Sequence, residues 1–405
     1  MKHFVVSWSS TKIPVLRTWW TDRSTRLLRI AVVFLAALAL LKLGDEFRRL
    51  IWESDRSGAI DLRILHELVY RWFAGRSIYS ELITAVHPPA TYAILWPLLG
   101  WLAVAPARWL WAATTVAVLG WLAYLIVHES GANTSLERVF VALMLCSMNA
   151  TGVTIGNGQL IVHLLPVLVA GLLLLQRGRG GWREDLLAAA MLLVTLVKPS
   201  VSVPFFWIVL FASGRLRPAL HVALGYVALT LFAASFQEPG LGILLRGWLA
   251  NSSALAVRGG YANLHIWLFT LGLEQWILPA SLLALMALGF WTYRHRHGDF
   301  WLLLGVTALM ARFWTYHRLY DDLLVLFPMI ALFRIAQRGP STDGSDVVAG
   351  MLLAITIFAM LVPARLRYAP WPWYLLFTGG HAMVWIAVLI FLLDRARREK
   401  SMRSG

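Results

Sequence analysis

The sequence predicts an all-α integral membrane protein, a polytopic bundle of about 12–13 transmembrane helices. Three observations predict it. Of 405 residues, 59% are hydrophobic and 14% charged, against about 25% charged in soluble domains, and the mean hydropathy is +0.67. Apolar runs long enough to approach the roughly 20 residues that a helix needs to cross a bilayer recur along the whole chain, whereas ten-residue alternating strands do not. Many of the 21 Trp flank those runs, as interfacial aromatic belts do.

The net charge of +15 would suggest nucleic acid in a soluble protein. Here it reads as basic cytoplasmic loops facing anionic lipid, and no nucleic-acid partner is expected. Cys146 is the single cysteine and can form no internal disulfide.

Residues 1–26 carry Lys2, Lys12, Arg17, Arg23 and Arg26 against Asp22, which places the N-terminus in the cytoplasm. No cleavable signal peptide is expected, and Leu27–Leu43 reads as a signal anchor. The segment Gly44–Pro89 would then lie outside. It holds seven of the 21 acids: Asp45, Glu46, Glu53, Asp55, Asp61, Glu67 and Glu81. Within it, Leu62, Leu65, Val69 and Phe73 recur at helical spacing, predicting an interfacial helix that begins near Asp61 and ends at Gly75.

His87-Pro88-Pro89 opens the next span. Spans are predicted near 90–105, 108–127 and 137–150, followed by an irregular, glycine-rich piece, Asn149–Gln159. Further runs cover 160–175, 185–212 interrupted by Lys198-Pro199, 218–234, 275–293, 300–313, 323–336, 347–363 and 377–393. A second outer loop is expected over 235–263, and the basic tail 394–405 in the cytoplasm. One membrane domain, 1–405, accounts for the chain. A kinked 185–212 makes twelve spans. Splitting it makes thirteen, which suits the basic loop 176–183 but asks 139–158 to be re-entrant.

Several residues could carry chemistry. Asp61 is either a helix cap or a carboxylate that takes a proton from an attacking hydroxyl. Lys198, the only lysine between Lys42 and Lys400, is either snorkelling or binding an anion. His317, Arg318, Asp321 and Asp322 crowd the mouth of a span, and a helix would put His317 and Asp321 on one face. His87, Gln159, Asn263 and His265 are weaker candidates. No metal motif, Walker loop or dinucleotide fingerprint is present.

The order of these pieces resembles the bacterial polyprenol-phosphate-mannose-dependent mannosyltransferases, glycosyltransferase family 87 of the GT-C superfamily. The matching residues are Ile60-Asp61-Leu62 before Phe73–Tyr79, Pro88-Pro89 before Trp96-Pro97-Leu98, Gly158-Gln159, Lys198-Pro199 with Arg215 and Arg217, and Trp314–His317. They span about residues 27–340. The chain departs from the family at His87, at Asn263-Leu264-His265 and around Tyr316-His317-Arg318.

The resemblance implies a GT-C-like fold in the bacterial inner (plasma) membrane. It implies inverting transfer, on the extracytoplasmic face, of a sugar (mannose first) from a polyprenyl-phosphate donor to a lipid or glycan acceptor. Asp61 would serve the acceptor hydroxyl and Lys198 the donor phosphate. His317, Arg318, Asp321, Gln159, His87 and His265 would position substrate, with no cofactor and no metal. Two competing classes remain: a flippase for a lipid-linked sugar, and a non-catalytic lipid-binding subunit.

Overall fold

A computed structural model describes residues 12–53, 57–178, 180–256, 260–339, 341 and 343–404, with side chains within 25–254 and 260–401. Asp55 and the basic side chains of Lys2, Lys12, Arg17 and Arg23 lie outside the described set. All regular structure among the described residues is helical.

Five helices are long and apolar enough to cross a membrane: Thr25–Ile51, Val104–Glu129, Leu216–Ala234, Glu274–His295 and Trp373–Ser401. The pair Ser135–Ser147 and Asn149–Asn157, bent by 51°, makes a sixth if taken as one span. Pro89–Leu99, Ile161–Arg177, Pro199–Phe211, Phe300–Phe313 and Ser345–Leu361 are shorter apolar helices. The molecule is a helical, multi-pass membrane protein, with fewer full-length spans among these residues than the expected twelve or thirteen.

The first helix, α1 (Lys12–Ile51), runs past the expected boundary at Gly44. Ion pairs Asp45–Arg48 (3.2 Å) and Glu46–Arg49 (3.1 Å), three residues apart, stabilise its last turns. The loop expected from Gly44 therefore begins about two turns later than the apolar run suggests. Next comes α2 (Ile60–Phe73), which buries Leu62, Leu65, Leu68, Val69 and Trp72. It ends at Ala74 with Gly75 at φ +71°, a backbone conformation suited to glycine. No side chain caps its start. Ala59, in the left-handed region at φ 51°, instead donates its N–H to the Gly156 carbonyl at 3.0 Å.

After α3 (Ile78–Glu81), Pro88 and Pro89 open α4 (Pro89–Leu99) as expected. Yet α4 is short. Its 11 residues reach about 17 Å, short of a bilayer's roughly 30 Å. Just beyond it, the Leu102 carbonyl accepts from His66 Nε2 at 2.7 Å, back on α2. Helix α5 (Val104–Glu129) then starts beside the end of α1, where Arg108 donates to the carbonyls of Leu50 (2.6 Å) and Glu53 (2.7 Å).

Helix α6 (Ser135–Ser147) turns at Met148 into α7 (Asn149–Asn157). The expected irregular piece is thus mostly helix. Its glycines serve close packing: a Cβ on Gly152 would meet the Lys42 chain at 2.9 Å, and one on Gly156 would strike Arg49 Nε at 2.5 Å. Gly158, at φ +69°, ends α7 and lets Leu62 approach.

Helices α8 (Ile161–Arg177) and α9 (Trp182–Thr195) follow. Residues 185–212 form two limbs rather than one kinked helix. Proline pushes the residue before it out of the α region, and Lys198 has φ −124°, ψ 82°. The chain returns through α10 (Pro199–Ser202), a 3₁₀ turn and α11 (Phe206–Phe211). Next come α12 (Leu216–Ala234) and α13 (Leu241–Ala256), the latter filling most of the expected loop 235–263 with helix. Then follow α14 (Leu264–Thr270), α15 (Ile277–His295) and α16 (Phe300–Phe313). A 3₁₀ segment (Leu319–Val325) leads into α17 (Leu326–Gln337), α18 (Ser345–Leu361) and α19 (Trp373–Ser404). Helices α16 and α17 are buried along almost their whole length and form the centre.

Ion pairs identify the two ends of the bundle. At one end Glu129 meets Arg177 (2.5 Å), Arg334 donates to the Glu129 carbonyl, and Arg338 joins Asp299 (2.5 Å) to Glu399 (2.9 Å). Arg215 ties Asp185 (2.8 Å) to the Leu175 carbonyl (2.9 Å). The loop 176–183, the turn 213–217 and the C-terminal helix therefore share this basic end. The opposite, loop-rich end holds α2, α3, α4, α13 and α14. Splitting 185–212 is what puts loop 176–183 at the basic end. Residues 135–157 form a pair bent by 51°, either a broken span or a re-entrant loop.

Candidate active site

The loop-rich end brings most of the candidate residues together, and each is placed by a local feature of the chain. Asp61 is the second residue of α2, so the capping alternative fails, since no side-chain bond caps that helix. Its Oδ2 is buried without a hydrogen-bond partner. Burial pushes its carboxyl above the usual carboxylate range, while the side-chain amides of Gln159 and Asn157, then Lys198 and Arg318, pull it back. Gly158 turns the chain between those two amides. Gln159 Oε1 accepts from the Leu160 N–H at 3.3 Å, which leaves its NH₂ for Asp61. Asn157 Oδ1 accepts in turn from Arg49, so its own NH₂ also faces the carboxylate.

Lys198 stands at the break between α9 and α10. It is buried, and its Nζ lies 2.5 Å from Asp321 Oδ1 and 4.5 Å from the centre of the Tyr320 ring. It does not snorkel, and its nearest anion is a carboxylate of the protein. Asp321 Oδ2 accepts from the Arg318 N–H (3.0 Å) and lies 3.2 Å from His317 Nδ1. His317 precedes the 3₁₀ segment, so the two meet across its first turn and not along an α-helix. Burial alone would raise the Asp321 carboxyl. Lys198 and His317 together outweigh it and hold the group below the usual range.

Arg318 has no carboxylate within ion-pair distance among the described residues, and its Nε donates to Tyr316 Oη. It is the cation of this group left to face an incoming anion. His87 lies in the turn before α4, its carbonyl held by Tyr79 Oη (2.6 Å) and Tyr92 Oη (3.2 Å). Helix α13 clamps the same turn through Trp248 and Asn251. Burial, helped by nearby Lys198, pushes the His87 imidazole down to about 4. His265 stands to one side: its Nε2 pairs with Ser281 Oγ at 2.8 Å, and burial, with His317 nearby, pushes its imidazole down to about 4. Asn263 is a helix cap, accepting from the Ile266 N–H at 3.0 Å.

Sequence reasoning passed over several members. Arg312 interrupts the apolar run of α16 just as Lys198 interrupts its own, so the same signal was available. Arg312 is fully buried, 2.7 Å from Asp322, which also accepts from Tyr261 Oη. Asp322 therefore belongs to a sealed pair behind the site. Asn157, Tyr316 and Tyr320 lie inside segments already noted as polar. Among the described residues no three His, Cys, Asp or Glu side chains converge as metal ligands would.

Chemically, the arrangement offers one half-satisfied carboxylate, two amide donors aimed at it, a fixed ammonium and an unpaired guanidinium. No protein-family model, curated protein or solved structure matches the chain.

Proposed function

We propose that this protein is an inverting membrane glycosyltransferase that moves a sugar, mannose in the first instance, from a polyprenyl-phosphate donor to a glycolipid or glycan acceptor. One observation carries the reading: a buried aspartate with an unpartnered oxygen sits beside Lys198 and Arg318, at the end of the bundle opposite the basic end. An acceptor hydroxyl placed at Asp61 Oδ2 would give up its proton there as its oxygen bonds to the anomeric carbon. The bond from that carbon to the phosphate oxygen breaks, and the phosphate leaves with the electron pair. Arg318 and Lys198 stabilise the charge that develops on it. Asp321 and His317 position Lys198, and Gln159 and Asn157 orient Asp61. The reading assigns no cofactor and no metal.

In this reading α1, α5, α6–α7, α8, α9, α10–α11, α12, α15, α16, α17, α18 and α19 make twelve crossings, with the basic end in the cytoplasm. The setting is a bacterial inner membrane, and the amphipathic α2 lies at its outer interface. A flippase is the second reading, favoured by the bend at Met148 and the break at Lys198-Pro199, since transporters build midplane sites from broken helices. Proteoliposomes loaded with labelled polyprenyl-phosphate sugar and a mixed acceptor separate the two. Labelled product is expected; translocation without product would establish the carrier, and neither outcome would leave the transferase reading without support.

A further inference from the structure

The last turns of α1 carry Lys42, Glu46 and Arg49, spaced four and three residues apart and therefore on one helical face. That face packs on α7. Lys42 Nζ donates to the Ser147 carbonyl (2.7 Å) and to Asn149 Oδ1 (2.6 Å), at the bend where α6 becomes α7. Arg49 lies two turns further on, against the last turn of α7. Its Nη1 is 3.1 Å from Glu46 Oε2, and its Nη2 donates to Asn157 Oδ1. The backbone beneath it is held as well: Arg108 donates to the carbonyls of Arg49 (3.1 Å) and Leu50 (2.6 Å). Gly156 permits the approach, because a Cβ there would come within 2.5 Å of Arg49 Nε.

As a stabilising ion pair, Arg49 with Glu46 is a poor one. Both side chains are largely buried, and Arg49 Nε and Glu46 Oε2 make no hydrogen bond among the described residues. The neighbouring, exposed Arg48 bonds both Asp45 and Glu53. What Arg49 has and Arg48 lacks is Asn157. Asn157 and Gln159 are the two amides beside Asp61. An amide offers an acceptor at one end and donors at the other, so the bond at its oxygen decides where its NH₂ points. For Gln159 that bond comes from the Leu160 backbone N–H, which no substitution there short of proline removes. For Asn157 it comes from a side chain 108 residues earlier in the chain. Glu46 offsets the guanidinium charge, so what Arg49 supplies at this point is direction.

We propose that Arg49 is a positioning residue: it fixes the Asn157 side chain with its NH₂ toward Asp61, and Glu46 and Gly156 seat Arg49 for that task. The proposal rests on the reading of Asp61 as the base. Without Arg49, Asn157 is free to turn its carbonyl toward Asp61, and a hydrogen bond that favours the ionised carboxylate is lost. Asp61 then keeps its proton to higher pH.

The test follows Asp61 itself as well as turnover. In the purified full-length protein, infrared titration reads the carboxylic-acid band that Asp61→Asn abolishes, and the pH–rate profile reads the acid limb. Arg49→Met should raise the Asp61 midpoint by about one pH unit, as expected for one hydrogen bond to an ionised group, and should lower turnover below the limb about tenfold. Asn157→Ala should raise the midpoint equally, and Arg49→Met added to it should raise it no further. Arg49→Lys keeps a donor and should recover part of the shift. If the orphaned Glu46 keeps Arg49→Met from folding, Glu46→Gln with Arg49→Met removes that acid and should show the same shift. Gly156→Ala displaces the guanidinium without removing a charge and should move the midpoint in the same direction. Arg48→Gln should leave it where it is. An unchanged midpoint in the Arg49 variants would overturn the proposal, and so would an Arg49→Met shift that persists in full on Asn157→Ala, since Arg49 would then act by charge. A wild type whose Asp61 responds to Arg49 as described, yet which transfers no sugar from any polyprenyl-phosphate donor, would count against the transferase reading alone.

Discussion

The basic end of the bundle and the candidate site at the loop-rich end handle charge in opposite ways. At the basic end the ion pairs form networks with one partner usually well exposed, as in Arg338 (41% exposed) with Asp299 and Glu399. At the loop-rich end exposed pairs also occur, as between Arg71 and the carboxylates of Glu67 and Glu81, but around the candidate site the charges are buried and few: Lys198 with Asp321, Arg312 with Asp322, and Asp61 with no ion pair among the described residues. Exposed pairs gain little and cost little, so they can be numerous. Buried charges carry a large desolvation penalty, and each needs a partner or a purpose. Arg312 and Asp322 neutralise one another, although Arg312 Nη1 keeps no hydrogen-bond partner. Asp61 does not have a full set of partners, which is what an aspartate waiting for a substrate hydroxyl requires.

The largest effect should come from unpairing the sealed couple. Arg312→Met leaves Asp322 charged or forced to protonate inside the protein. Breaking such a pair costs about 3–5 kcal/mol. The thermal midpoint of the purified protein should fall sharply. Adding Asp322→Leu and Tyr261→Phe removes the orphaned groups and should restore most of the loss, since apolar replacements of whole buried pairs are often neutral. If the triple variant is no better than Arg312→Met, the pair is not an isolated structural unit and the contrast between Asp322 and Asp61 loses its basis.

Asp61→Asn should behave in the reverse manner, losing function and keeping stability. Turnover should fall at least about 10²-fold, because an amide cannot accept the proton. Stability should hold or rise. The folded-state pKa of Asp61 lies above its unfolded value, so folding favours the protonated form, and that contribution disappears as pH rises through the folded pKa. Wherever the buried carboxyl is ionised, its charge is a burden that asparagine relieves. The same sign governs the acid limb of the pH–rate profile, which should lie above the ordinary carboxylate range. Arg318 pulls the Asp61 pKa down, so Arg318→Gln should move that limb to higher pH. A limb that moves to lower pH, or a turnover within a few-fold of wild type in Asp61→Asn, would remove Asp61 from the chemistry.

Much of this was legible in the chain. Apolar runs gave the membrane class, and the spacing of Leu62, Leu65 and Val69 gave α2, because burial of one helical face leaves a periodic signature. The candidates Asp61, Gln159, Lys198, Arg318 and Asp321 do converge, although they are drawn from four separate stretches. What the sequence hid was pairing. Lys198 looks like a lone cation until Asp321, 123 residues later, comes within 2.5 Å. Hydropathy is blind to length as built: the run near 90–105 yields only the 11-residue helix Pro89–Leu99, followed by a turn whose Leu102 carbonyl meets His66 on α2. The glycines of 149–159 suggested loose backbone, whereas two of them make room for Lys42, Glu46 and Arg49 against a regular helix.

The smallest effect is expected at the basic end, and it sharpens the contrast because salt acts on it. Arg338 bridges Asp299 and Glu399, but its side chain is 41% exposed. An exposed pair is worth about 0.2–1 kcal/mol. Arg338→Gln should therefore lower the thermal midpoint only slightly in dilute buffer. Near 1 M salt the Debye length is about 3 Å, so the pair is largely screened already in the wild type. The difference between wild type and Arg338→Gln should then nearly vanish, while the deficit of Arg312→Met, whose charges see no solvent, should persist. Measuring both variants at low and high salt places the two ends on one scale. If the Arg312→Met deficit faded with salt as the Arg338→Gln deficit does, water and ions would be reaching the buried couple. The loop-rich end would then be wet throughout, and burial would no longer explain why the Asp61 carboxyl stands above its usual range.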